Sequence, residues 1–328
     1  MREHLATALA ADREPQVHAP ARFVEGRADS FTNTLADTLT DKLTARLTER
    51  FAERLGAHVT AALVDEVTLA PKPGLVDLRS RGAHHDLDWQ LMCVSAHALQ
   101  PSFTAMARAG IDTRPLAALR EQIGAIGRDG ETRMFAATRG VNTHRGAIWA
   151  LGLLVTAAAR EPADLSPERV AARAGAIARL PDRHAPALTG HKGEQACIDY
   201  NVGGARGQAQ AGFPHVIDVA LPELARSRLR GDSETAARLN ALLAVMATLD
   251  DTCVLARGGR AALAETQNGA RRVLDHGGAA TLAGRRHLKA LDGRLVELHV
   301  SPGGAADLLA AALFLDRLQD EAHLTTRT

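Results

Sequence analysis

From Leu35 onward an apolar side chain returns at every fourth position: Leu35, Leu39, Leu43, Leu47, Phe51 and Leu55. A helix turns in about 3.6 residues, so a strict beat of four drifts by about 40° per step and winds around the axis. The pattern predicts an amphipathic helix that serves as an arm rather than as a flat packing face. Residues 1–29, with Pro15, Pro20 and many small or charged side chains, read as irregular.

Past Gly56 the apolar positions recur at three and four, as in Leu239, Leu242, Leu243 and Met246. This spacing predicts helices over His58–Leu69, Asp88–Ala109, Leu116–Gly127, Arg145–Ala159, Pro167–Leu180, Glu234–Arg257, Ala261–His276, Ala280–Asp292 and Pro302–Gln319. Ser301-Pro302 reads as a start signal, a serine cap with proline in the first turn. If Glu234–Arg257 is one helix, Leu239, Leu243, Met246, Asp250 and Val254 share a face, and Asp250 interrupts an apolar stripe. An unpaired buried carboxylate would cost several kcal/mol or be forced neutral, so a metal ion or an arginine partner is expected there.

Aromatic residues make up only 3% of the 328, which disfavours strands, and no βαβ alternation or hairpin series is visible. The expectation is an all-α fold: one large multi-helical catalytic domain over residues 56–328, preceded by an N-terminal extension, 1–55, irregular and then helical. With 39 basic and 38 acidic side chains there is no global field for nucleic acid. Cys93, Cys197 and Cys253 form no CxxC pair, so neither a disulfide framework nor structural zinc is suggested. The longest apolar run, Ala147–Ala159, is too short to span a bilayer, and charges near Met1 argue against a secretory signal. A cytoplasmic protein is expected, with the arm as a candidate homodimer contact.

The loops carry the chemistry. Gly140-Val141-Asn142-Thr143-His144-Arg145-Gly146 places an amide, a hydroxyl, an imidazole and a guanidinium between two glycines at a helix start, a suitable cradle for phosphate. In Asp65-Glu66-Val67-Thr68-Leu69-Ala70-Pro71-Lys72-Pro73-Gly74, a helix ends in carboxylates that oppose its dipole, so a cation or ligand hydroxyl should offset them. His84-His85-Asp86-Leu87-Asp88 could bind a metal or supply acid and base, although Asp88 could equally cap the helix ahead. Gly203-Gly204-Ala205-Arg206-Gly207-Gln208 suits an anion held by backbone amides and a guanidinium. Asp250 and Asp251 are candidate Mg²⁺ ligands, and Asp307, one turn into the last helix, could join them. Lys72, His144, Arg145, Arg206 and Arg257 would hold phosphates. No Walker or kinase glycine signature is present, so a nucleotide site here is of another kind.

Taken in order, the runs EVTLAPKPGLVD (66–77), GAHHDLD (82–88), GVNTHRGAIWALGLL (140–154), GGARGQAQAGFP (203–214), LDDTCVLARGG (249–259) and SPGGAADLLA (301–310) resemble the triphosphoribosyl-dephospho-CoA synthases. The resemblance spans residues 58–318 and leaves out the arm. It implies an all-α enzyme that uses ATP as a ribosyl donor: the 2′-hydroxyl of 3′-dephospho-CoA attacks C1′ and adenine leaves. The product is the precursor of a carrier-protein prosthetic group, of malonate decarboxylase or citrate lyase. Thr143-His144-Arg145 and Asp251-Thr252-Cys253 look more like the malonate branch.

In that reading Glu66, His84, Asp86, Asp88 and His144 are the candidate catalytic residues. Lys72, Asn142, Thr143, Arg145, Gly203, Gly204, Arg206 and Arg257 bind substrate, and Asp250 and Asp251 bind Mg²⁺. Gln208 departs from the glutamate expected at its position, and an amide cannot act as a base. Two other readings stay open: another Mg²⁺-dependent nucleotide-processing enzyme, such as a hydrolase, and an inactive helical ATP-binding protein.

Overall fold

The run after Arg145 has no polar face, and a helix apolar all round is stable only when buried. In the computed structural model it forms α4 (Arg145–Arg160), with every residue from Leu151 to Ala159 buried. Each leucine there contributes about 1.5–3 kcal/mol by leaving water. Helices α2 (Trp89–Asp112), α3 (Leu116–Ala137), α5 (Pro167–Ala178), α7 (Gly204–Gln210) and α12 (Gly303–Thr325) pack around α4. The structure describes residues 25–186 and 189–325, with side chains over 40–186 and 189–321. No strand occurs among the described residues, in agreement with the all-α expectation.

The chain divides into two compact units, Met1–Leu47 and Thr48–Thr328. Within the first, the described backbone is helical from Glu25, so residues 25–29 are not irregular as expected; residues 1–24 lie outside the described residues. Helix α1 (Glu25–Thr68) runs unbroken through Gly56. That glycine is no breaker: it lets α1 approach Thr104 of α2, where any Cβ would overlap the threonine side chain. Leu43 and Leu47 of the four-residue beat are exposed, whereas Leu55 is buried.

Elements that periodicity did not predict fill the middle of the chain: α6 (Lys192–Tyr200), α7, a π-helical turn His215–Ala220, and α8 (Leu221–Leu229). The expected Glu234–Arg257 helix is two helices. Helix α9 (Glu234–Met246) ends, Ala247–Asp251 breaks the path, and α10 (Thr252–Asp275) begins. Asp250 therefore sits exposed at the break, not on a buried stripe, which removes the argument that a buried carboxylate there needs an ion. After α10 a short 3-10 turn, Gly278–Ala280, leads into α11 (Leu282–Glu297) and then α12.

Candidate active site

The carboxylates that close α1 do receive cations. Asp65 pairs with Arg238 at 3.0 Å and with Arg317, and Glu66 pairs with Lys72. The loop after α1 turns Lys72 inward, to 1% exposure, rather than presenting it to solvent. Asp77 holds that loop, accepting from the backbone N–H of Lys72 at 3.0 Å, Arg79 at 2.7 Å and Ser80 at 2.8 Å. Burial raises the Glu66 carboxyl above the ordinary carboxylate range, and Lys72 pulls it back only in part.

His144, at the start of α4, is 3% exposed and belongs to the same buried group. Its Nδ1 lies 2.9 Å from Ser95 Oγ, which is 2.6 Å from Thr143 Oγ1. Its Nε2 is buried with no hydrogen-bond partner. Burial, and then the Lys72 charge, lower the imidazole to about 4, so it is neutral at pH 7. Ser95 had no sequence signal: it is one small polar residue on the buried face of α2.

Three more helix starts meet here, and the motif glycines make the approach possible. A Cβ at Gly146 would overlap the Asp307 carboxylate of α12. A Cβ on Gly304 would stand 3.1 Å from the Asp251 carboxylate, on Gly303 3.1 Å from Cys253 Sγ, and on Gly204 3.3 Å from Thr252 Cγ2. Asp251 joins two helices: its Oδ1 accepts from Cys253 N at 2.8 Å and Val254 N at 3.4 Å, capping α10, and its Oδ2 accepts from Ala305 N at 2.9 Å on α12. It thus takes the capping role expected of Ser301, whose hydroxyl is buried and unpartnered. Burial raises Asp251 despite these donors. Asp307 accepts no hydrogen bond from any described residue, and burial, Glu66 and Asp251 together raise it well above the carboxylate range.

The other predicted residues fall outside this buried group. His84 lies 3.7 Å from Asp86, and burial followed by the Arg257 charge lowers it. Arg257 and Arg206 are exposed. Arg145 is held by Glu131 and lies 5.3 Å over the Phe135 ring, so it would have to exchange Glu131 to meet a phosphate. Asn142 Oδ1 accepts from Arg145 N at 3.3 Å, as a helix-start cap does. Asp88 caps α2 through Leu91 N at 2.9 Å and faces Arg81 at 3.2 Å. Gln208 Oε1 lies 3.1 Å from His215 Nδ1, an orienting contact that an amide can make.

Such a site, a neutral imidazole beside a buried, raised carboxyl group, can exchange protons with a bound molecule. A family model described as ATP:dephospho-CoA triphosphoribosyl transferase matches residues 52–326. The chain belongs to this family. It is 59% identical over 259 residues to an Azotobacter vinelandii protein named probable 2-(5''-triphosphoribosyl)-3'-dephosphocoenzyme-A synthase, covering 79% of this chain and 89% of that one. A Klebsiella pneumoniae protein named 2-(5''-triphosphoribosyl)-3'-dephosphocoenzyme-A synthase is 53% identical over 263 residues, 80% of this chain and 94% of its own. No solved structure matches the chain. The buried group, from Glu66 to Asp307, lies wholly within the matched residues, whereas most of the leucine-beat arm precedes them. No helix among the described residues is long and apolar enough to cross a membrane.

Proposed function

We infer that the protein transfers the 5-triphosphoribosyl group of ATP to the 2′-hydroxyl of 3′-dephospho-CoA and releases adenine. Membership of the transferase family supports the reaction class. The structural observation that carries the chemistry is the His144 side chain, with Nδ1 tied to Ser95 and Nε2 buried without a partner. A neutral imidazole with one free nitrogen is equipped to take the proton of the attacking hydroxyl. Displacement at C1′ passes through oxocarbenium character, as glycoside hydrolysis does, so the Glu66 carboxylate is suited to stabilise it while Lys72 sets its position.

Arg206 and Arg257 are exposed guanidiniums suited to the triphosphate, with His84 and Asp86 on the same rim as Arg257. These residues suit Mg²⁺ as an ion carried by the triphosphate. Asp251 already accepts backbone N–H groups, and no cluster of three or more His, Cys, Asp or Glu among the described residues could hold a metal. Exposed Asp250 would add one carboxylate, and the ion would offset phosphate charge.

The finer assignments are part of the same reading. The malonate branch is favoured by Thr143-His144-Arg145 and Asp251-Thr252-Cys253, the cytoplasm by three cysteines that stay free, and a homodimer by exposed Leu43 and Leu47. The near balance of charge favours small-molecule substrates over nucleic acid. The test is adenine release from MgATP followed by chromatography with and without dephospho-CoA. Release that requires the acceptor supports transfer. Formation of ADP or AMP instead would identify a hydrolase and overturn it.

A further inference from the structure

Buried hydroxyls on the helices of this protein spend their proton on the carbonyl one turn back: Thr60 on Gly56 at 3.0 Å, Thr156 on Gly152 at 2.7 Å and Thr266 on Ala262 at 2.8 Å. Ser95, on α2 and 0% exposed, does not. Among the described residues its Oγ has two partners, His144 Nδ1 at 2.9 Å and Thr143 Oγ1 at 2.6 Å. A hydroxyl has one proton and two lone pairs, and burial leaves no water to take part. Ser95 therefore donates to one of these neighbours and accepts from the other.

The choice fixes the tautomer of the neutral imidazole. If Ser95 donated to Nδ1, the ring proton would sit on Nε2, a buried N–H with no acceptor. If Ser95 donates to Thr143, the Nδ1–H donates to Ser95 and Nε2 is a bare acceptor. Buried N–H groups without an acceptor are rarer in proteins than acceptors without a donor. Thr143 favours the same direction. It is only partly buried, so its own proton can go to water or to an oxygen of a bound substrate, which leaves its Oγ1 to accept from Ser95.

We propose that Ser95 is a positioning residue that makes His144 Nε2 the proton acceptor, with Thr143 setting the direction of the Ser95 hydroxyl. This role rests on the transfer reading above, in which His144 takes the proton of the attacking hydroxyl at Nε2. Ser95 touches neither substrate. It acts through the ring: Nδ1–H stays on Ser95 Oγ before and after Nε2 is protonated, so the ring need not turn during the step. A substrate oxygen that accepts from Thr143 would lock the chain in the productive direction.

The test reads the tautomer and the rate together. Nitrogen-15 NMR at pH 7 distinguishes a protonated ring nitrogen from a bare one, and the His144 signals are those missing from His144→Gln. Wild type should show Nδ1 protonated and Nε2 bare. Ser95→Ala and Thr143→Val should shift the ring toward the Nε2–H form, whereas Thr143→Ser, which keeps the hydroxyl, should hold the wild-type tautomer. With MgATP and 3′-dephospho-CoA, S95A should lose at least about 10-fold in kcat for adenine release, a share of the roughly 10²–10⁴-fold that a general base supplies. Its KM for ATP should stay within a few-fold.

A lowered kcat with the wild-type tautomer intact would make Ser95 a packing residue and overturn the proposal, as would full activity in S95A. Should S95A not fold, the wild-type spectrum still decides, because a bare Nδ1 there refutes the arrangement. If wild-type protein releases no adenine, the transfer reading fails; a bare Nδ1 in active wild type refutes only the role of Ser95.

Discussion

Removing the imidazole at 144 should flatten the acid side of the stability curve. His144 titrates near 6.5 in an unfolded chain and at about 4 in the folded protein, lowered by burial and by Lys72. Between these values the unfolded state binds more protons, so stability rises with pH, and the contribution is lost as pH falls from neutrality. Integrated from pH 7.5 to pH 5, a shift of this size amounts to about 2 kcal/mol. The carboxyls Glu66, Asp251 and Asp307 act with the opposite sign, since burial raises them and the folded protein takes up their protons at a higher pH than the unfolded chain does. The comparison must therefore be made between wild type and His144→Gln, where the carboxyl contributions largely cancel. Urea unfolding at pH 7.5, 6 and 5 gives the stability of each. Wild type should lose about 2 kcal/mol more than the variant over this range. Parallel losses would mean that His144 is not held neutral in the fold, and the assignment of its Nε2 as a proton acceptor would fall with that result.

Lys72→Met leaves Glu66 buried without its cation and should destabilise by about 3–5 kcal/mol or force Glu66 neutral, read as a lowered Tm with loss of adenine release. An unchanged Tm would refute the pairing. Gly146→Ala tests the approach of α12: alanine ordinarily stabilises a helix interior by about 0.5–1 kcal/mol. The Asp307 carboxylate must turn aside to admit the methyl, which should cancel that gain in a chemical melt, so a variant stabilised by the full amount would contradict the geometry. Asp251→Ala removes a cap shared by α10 and α12 and should cost at least the 0.5–2 kcal/mol of roughly one ordinary cap, whereas exposed Asp250→Ala should stay within about 0.5 kcal/mol. Equal unfolding midpoints for the two variants would refute this division.

Composition alone exposed the all-α class, because a chain so poor in aromatics and so rich in alanine and leucine has little to build strands from. The all-apolar run after Arg145 likewise marked the buried centre of the fold. Local pattern failed where a distant residue decides the outcome. The apolar spacing runs on smoothly from Leu239 to Val254, yet the helix breaks before Asp251, whose carboxylate gains two backbone donors at the start of α10 and a third from α12. Gly56 carries no apolar signal of its own and is a contact point, because its lack of a Cβ lets α1 approach α2.

The residue types of the candidate site were legible in the sequence, and their contacts were not. Glu66, Lys72 and His144 come together, whereas Asp88 caps α2 and Arg145 is engaged by Glu131. No spacing rule could have paired His144 with Ser95, since the two are 49 positions apart and meet only when α4 packs on α2.

The central claim is tested most directly by the structure of the product. Purified protein, MgATP and 3′-dephospho-CoA are incubated, and the products are separated with mass detection, with the new linkage located by NMR. One free adenine should appear for each dephospho-CoA adduct, and that adduct should keep all three phosphates on a ribose joined through C1′ to O2′. An adduct with fewer phosphates, nucleotide hydrolysis without an adduct, or no adenine from folded, ATP-binding protein would contradict the account.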